Sequence, residues 1–141
     1  MDKRDAAEWL ARQGFPVVPL SAGRKIPTRK GWQALATNDP EKVRELWTLP
    51  NGESASYNPG IVGRDHIILD VDVPGEAHGQ VNGAAELEKI GWKGRTFTVA
   101  TPTGGLHLYF RKPEGCDFSQ TDLAPGINVR SSGGFACGPG S

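Results

Sequence analysis

Apolar residues come along this chain in short bursts, separated by turns rich in glycine and proline. Residues 5–13 put Ala6, Trp9 and Leu10 on one side at helical spacing, and Gly14 supplies a stop, which predicts a short helix. Residues 15–20 predict a strand whose two prolines favour a sheet edge or strand end. A second helix is expected to run through about Trp47, capped by Thr37 or Asn38. Pro40 lies near its first turn, and Val43, Leu46 and Trp47 form its apolar stripe. After a polar loop over 50–59, residues 60–64 and 66–73 predict two strands joined by a tight turn near Gly63 and Asp65. Another helix is expected over 83–90, ended by Gly91. Residues 95–100 and 105–111 both alternate, and Thr101-Pro102-Thr103-Gly104 between them makes a hairpin the economical reading. Ile127 and Val129 alternate with Asn128 and Arg130, and Gly133-Gly134 allows a turn into Phe135-Ala136-Cys137.

The run His66-Ile67-Ile68-Leu69-Asp70-Val71-Asp72-Val73 holds two carboxylates one residue apart in a hydrophobic, β-branched stretch. Strand alternation gives Ile67, Leu69, Val71 and Val73 one buried face and leaves Asp70 and Asp72 together on the other. Neighbouring like charges repel and add nothing to a core; a divalent cation between them supplies the reason for the pair. The strand over 105–111 follows the same logic, with Leu106, Leu108 and Phe110 on one face and His107, Tyr109 and Arg111 on the other. A lone histidine among hydrophobics is more often structural than a ligand, so His107 carries both readings. Three apolar strands thus present two carboxylates, an imidazole and the Asn128/Arg130 pair.

The length of 141 residues suits one modest domain with a single core. Its 16 basic and 16 acidic residues balance, so a nucleic-acid surface would have to be local. The most basic window is 21–30, with Arg24, Lys25, Arg29 and Lys30; a solvated loop and a phosphate-contacting loop are both open there. Hydrophobic content of 37% with 19 Gly and 11 Pro describes a loop-rich globular protein of mixed α and β structure. No apolar stretch reaches the length of a membrane span, and the amphipathic N-terminus is unlike a secretory signal, so a cytoplasmic location without membrane contact is expected. Cys116 and Cys137 stand apart from any Cys/His cluster and read as reduced structural thiols.

Taken in order, Gly-Arg-Lys-Ile-Pro (23–27), Leu-Asp-Val-Asp-Val (69–73), Thr-Pro-Thr-Gly-Gly-Leu-His-Leu-Tyr-Phe (101–110), Gly-Ile-Asn-Val-Arg-Ser-Ser-Gly-Gly-Phe (126–135) and Gly-Pro-Gly-Ser (138–141) form a set of blocks. This set resembles the bifunctional DNA primase/polymerase (Prim-Pol) domain of the archaeo-eukaryotic primase superfamily. The resemblance runs from Ala6 to Ser141. DxD alone recurs in many enzymes and in surface loops; the ordered blocks are far more specific.

The resemblance implies an α+β fold, an archaeo-eukaryotic primase-like catalytic core with an RRM-like sheet and a small N-terminal α/β subdomain. It implies a single catalytic domain over 1–141, without the C-terminal extension and helicase into which relatives usually continue. The implied activity is template-dependent nucleotidyl transfer, as DNA primase, DNA polymerase or both, by a two-metal mechanism with Mg²⁺ or Mn²⁺. Its setting would be replication of a phage, plasmid or other mobile element. The implied partners are DNA template and primer, dNTP or NTP, and a replicative helicase in the same or a neighbouring chain, with the protein itself monomeric.

Matched residue by residue, Asp70 and Asp72 correspond to the acidic pair that holds the metals, and His107 to the histidine on the incoming triphosphate. Gly105 stands where related primases often carry a small hydroxyl residue, and its bare backbone serves either phosphate approach or the hairpin. Arg130 matches the arginine that follows the third acidic ligand. Lys25 falls in a Lys-x-Pro element suited to phosphate or template contact. Arg24, Arg29 and Lys30 extend that basic surface toward DNA, while Trp32 and Tyr57 suit base stacking or, more commonly, core packing. Asn128 occupies the place of the third acidic ligand itself. An amide keeps the shape and one oxygen but loses the charge. It is compatible with a tolerated natural residue helped by Asp122 or Asp117, an engineered inactivating change, or a degenerate nucleotide- and DNA-binding module. A two-metal nuclease or phosphohydrolase is the remaining enzymatic alternative.

Overall fold

The first helix begins where Asp2 accepts the amide of Asp5, a cap that leaves its carboxyl below the usual range. In the computed structural model, which describes residues 1–116 and 121–141, helix α1 spans Lys3–Arg12. It buries Ala6, Ala7, Leu10 and Ala11, whereas Trp9, expected on the inner side, is 41% exposed. Strand β1, Val17–Leu20, is buried along its whole length. A one-turn helix, α2 (Trp32–Leu35), follows Gly31 in the left-handed region; nothing in the apolar pattern announced it. Helix α3, Pro40–Leu46, is capped by Asp39 rather than by Thr37 or Asn38, because the Asp39 carboxylate accepts the amides of Glu41 and Lys42. Thr37 instead accepts the amide of Asp39.

Two compact units make up the chain. Unit 1 comprises Met1–Val62 and Phe135–Ser141. Its three-stranded antiparallel sheet has the order β1-β2-β8, with β2 at Asn58–Val62 and β8 at Phe135–Cys137. Val18, Leu20, Ala36 and Val62 form a core cluster on which Trp32 and Phe135 pack edge to face at 5.2 Å, so Trp32 serves packing. Trp47 is fully buried and donates its indole N–H to the Tyr57 carbonyl at 2.9 Å. Glu8 bridges Arg12 and Arg44, joining α1 to α3; the two guanidinium hydrogen bonds hold its carboxyl below the usual range.

Unit 2 is the continuous stretch Gly63–Gly134. Its five-stranded antiparallel sheet has the order β4-β5-β3-β7-β6, from β3 (His66–Val71), β4 (Phe97–Ala100), β5 (Leu106–Arg111), β6 (Thr121–Ala124) and β7 (Ile127–Arg130). Helix α4, Gly83–Ile90, ends at Gly91 as expected from the sequence, and β4 with β5 forms the expected hairpin. The strands at 58–62 and 66–71 do not pair: they belong to different sheets, because the chain changes sheet at Gly63. Gly63 allows this with its missing side chain, since a Cβ there would lie 2.5 Å from the Ser131 carbonyl.

Burial in the sheet of unit 2 also departs from simple alternation. Val71, Ile127 and Val129 are buried on one face, but Ile67, Leu69 and Val73 are only half-buried. On the opposite face, Ile68, His107 and Tyr109 are buried as well. The face that carries Asp70 is therefore covered at its Ile68–Tyr109 end and polar at the other. Cys116 and Cys137 are half-buried, and neither is in a disulfide among the described residues. Among the described residues no helix is long and apolar enough to cross a membrane. The architecture is α+β, with antiparallel sheets and few helices.

Candidate functional site

Strand β3 is the middle strand of its sheet, so its residues have neighbours on both sides. Asp70 lies opposite His107 of β5 and Asn128 of β7, and Asn128 lies opposite Asp122 of β6. Directly opposed residues of antiparallel strands point to the same face. The register therefore sets His107, Asp70, Asn128 and Asp122 in one row across four strands.

Both Asp70 oxygens are engaged. Oδ1 lies 3.3 Å from His107 Nε2, and Oδ2 accepts from the Arg130 guanidinium at 2.9 Å. Arg130 is opposite Ile68, so it reaches Asp70 along the diagonal that long side chains span. His107 is only 7% exposed, with its ring 6.5 Å from that of Tyr109. Its Nδ1 is buried with no hydrogen-bond partner among the described residues.

Asp72 lies just past the end of β3 and is fixed by its backbone. Its amide donates to the Gly126 carbonyl at 2.8 Å, and its carbonyl accepts the Gly83 amide at 2.7 Å. Two glycines make this lock possible: a Cβ on Gly83 would stand 2.1 Å from the Gly126 oxygen, and Gly126 adopts φ +79°. The Asp72 carboxylate is 3.3 Å from His78 Nε2. His78 is held by a tight turn in which the Gly79 and His78 amides both donate to the Gly75 carbonyl. Each of the two acids thus has its own imidazole. Sequence reasoning passed over His78, whose only signal was a histidine between glycines shortly after the acidic pair. A cleft of about 500 Å³ opens beside it, lined by Asp72, His78, Val81, Asp122, Gly126 and Asn128.

The remaining expected residues are distributed as follows. Gly105 permits a close backbone approach, since a Cβ there would lie 2.4 Å from the Val71 carbonyl, and Gly104 takes the left-handed conformation that the hairpin turn needs. Asp122 is in the row; Asp117 lies outside the described residues. Arg24, Lys25, Arg29 and Lys30 are exposed on a loop of unit 1 and form no ion pair among the described residues. That loop is nonetheless ordered, with Ser21 donating to the Ile26 carbonyl, Thr28 to the Pro19 carbonyl, and buried Asn58 to the Arg24 carbonyl.

No three His, Cys, Asp or Glu side chains converge as a ready metal cage among the described residues. The available donors are hard oxygens, two carboxylates and an amide, and Mg²⁺ is commonly held by one or two carboxylates with substrate phosphates and waters. The residues present fit a hard divalent cation whose coordination is completed by groups other than protein side chains.

Sheet and row together define an α+β protein with a charged cross-strand site on its larger sheet. Residues 7–141 match the family model described as bifunctional DNA primase/polymerase, N-terminal, and the chain belongs to that family. Comparison with curated proteins gives no match. Membership implies a nucleotidyltransferase of DNA replication whose substrates are DNA and nucleotides; divalent metals are typical of such enzymes.

Proposed function

We propose that the chain catalyses template-dependent nucleotidyl transfer, as DNA primase, DNA polymerase or both, in the replication of a phage, plasmid or other mobile element. The observation that carries this reading is the row in which Asp70 stands between His107 and Asn128, with Arg130 on its second oxygen and Asp72 two residues on. Asp70 and Asp72, with the Asn128 amide oxygen, are the groups that would hold Mg²⁺ or Mn²⁺. Such cations, when bound, favour ionisation of the attacking 3′-hydroxyl and neutralise the leaving pyrophosphate.

The chain's own residues divide the remaining work. Arg130 presents a planar fork suited to triphosphate oxygens. Its passage from Asp70 to phosphate frees a carboxylate oxygen as the nucleotide arrives, so nucleotide and cation binding reinforce each other. His107 orients Asp70 through Nε2, and its buried Nδ1 is an atom that a bound nucleotide would satisfy. Gly105 keeps the backbone beside His107 bare. Lys25 supplies a cation for phosphate, and Arg24, Arg29 and Lys30 an exposed surface for the DNA backbone. The reading includes a monomeric protein working beside a replicative helicase.

Primer extension and Mn²⁺-supported primer synthesis test it. Product is expected from the unchanged chain, with a loss of about 10²-fold or more in Asp70→Asn and Asp72→Asn. Absence of product from both the unchanged chain and Asn128→Asp overturns the reading. Degradation of labelled DNA without extension identifies a two-metal nuclease instead, and triphosphate binding that persists in EDTA without turnover identifies a binding module.

A further inference from the structure

Asp122 owes its place opposite Asn128 to an irregularity in β6. Ala124 is opposite Ile127, and regular pairing from there would set Leu123 against Asn128. The register instead shifts by one, which brings Asp122 opposite Asn128 and leaves Leu123 as the extra residue, 53% exposed. Bulges of this kind re-aim a side chain and are enriched beside active sites.

The Asn128 Nδ2 donates to Asp122 Oδ1 at 2.7 Å. An ionised carboxylate only accepts, so this bond decides which way the amide faces. Its NH₂ group turns toward β6, which leaves the carbonyl oxygen on the other branch of the planar amide, and Asp70 of β3 is the direct strand partner of Asn128. The negative charge missing from position 128 stands one strand further out, on a side chain that lines the same cleft as Asp72.

We propose that Asp122 is a positioning residue: it holds the Asn128 amide oxygen toward Asp70 as a neutral ligand and returns to the site the charge that the amide lacks. The inference rests on the reading of Asp70 and Asp72 as cation holders. A surface hydrogen bond with no bearing on the site is the competing account, and under it Asp122→Asn leaves cation binding unchanged.

The test is Mn²⁺ binding followed by electron paramagnetic resonance, with a dNTP present and no template, so that nothing turns over. Asp122→Asn is expected to weaken Mn²⁺ by about 10-fold or more, as loss of a residue that orients a metal ligand typically does. The reversed pair, Asp122→Asn with Asn128→Asp, keeps one amide and one carboxylate in contact and is expected to recover at least the original affinity. Urea midpoints measured on the same samples separate this from a change in folding, to which the reversed pair is itself a second guard. Unchanged affinity in Asp122→Asn overturns the proposal, and so does a reversed pair that binds no better than the single variant. If the unchanged chain with dNTP fails to take up Mn²⁺, the cation-holding reading fails first and Asp122 loses its role with it.

Discussion

Replacing Gly83 by alanine probes how the second carboxylate is held. In a free helix this change is favourable, by up to about 1 kcal/mol, because alanine has the higher helix propensity. Here the new Cβ would meet the Gly126 oxygen at 2.1 Å, its carbonyl carbon at 2.7 Å and the Asp72 oxygen at 3.0 Å, all backbone atoms with no rotamer to change. Overpacking of this kind costs about 1–3 kcal/mol. Separating Gly83 from Gly126 also strains the two hydrogen bonds that clamp Asp72, each worth about 1 kcal/mol. The balance is a net destabilisation of about 2 kcal/mol, with about 4 kcal/mol as the upper end. A shift of about 1 Å in Asp72 is expected to lower primer extension by about 10²-fold. Urea denaturation and primer extension measure the two effects. Gly91→Ala is the control: its site has φ +81° with nothing within 4 Å, so it pays backbone strain of about 1–2 kcal/mol and leaves Asp72 in place. A Gly83→Ala protein as stable and active as the original would refute the backbone clamp.

Two further outcomes are expected. Burial holds the His66 imidazole below its ordinary 6.5, with Asp65 opposing and Arg111 adding to the shift. The unfolded chain therefore takes up a proton near pH 6.5 that the folded chain resists, so this contribution is complete above that pH and is lost as pH falls toward the folded value. Thermal unfolding should show a stability slope between about pH 7.5 and 5.5 that flattens in His66→Gln, and an equal slope in both proteins would count against it. For the basic loop, Arg29→Gln with Lys30→Gln should reduce the salt dependence of single-strand binding, by about 0.7 in the log–log slope for each cation removed. Fluorescence anisotropy across a salt series measures this, and an unchanged slope would remove both residues from the DNA surface.

The sequence was legible where one local signal decided the outcome. Gly91 ended α4, Thr101-Pro102-Thr103-Gly104 turned the β4–β5 hairpin, and the strand period put Asp70 and His107 on one face. It was less legible where tertiary partners decided. Alternation assigned one buried face to β3, yet Ile68 is fully buried on the acidic face while Ile67 and Leu69 stay half-buried. Trp9 had helical spacing for the core but lies exposed, as Ala6, Ala7, Leu10 and Ala11 already supply the buried stripe. β6 escaped notice because Thr-Asp-Leu-Ala is short and largely exposed, with no hydrophobic period to read. His78 escaped because its meeting with Asp72 depends on a turn closed by Gly75 and Gly79.

The two sheets also differ in when they can be completed during synthesis. Every residue of unit 2 lies between Gly63 and Gly134, and its ends meet where the Gly63 amide donates to the Gly134 carbonyl at 3.0 Å. Unit 1 begins first but finishes last, because β8 pairs with β2 only once residues 135–137 exist. A nascent chain stopped at residue 134 has all five strands of the larger sheet and leaves β2 with an open edge. Since unpaired edges invite association with other chains, the period before residues 135–141 emerge is one in which this sheet is open to mispairing.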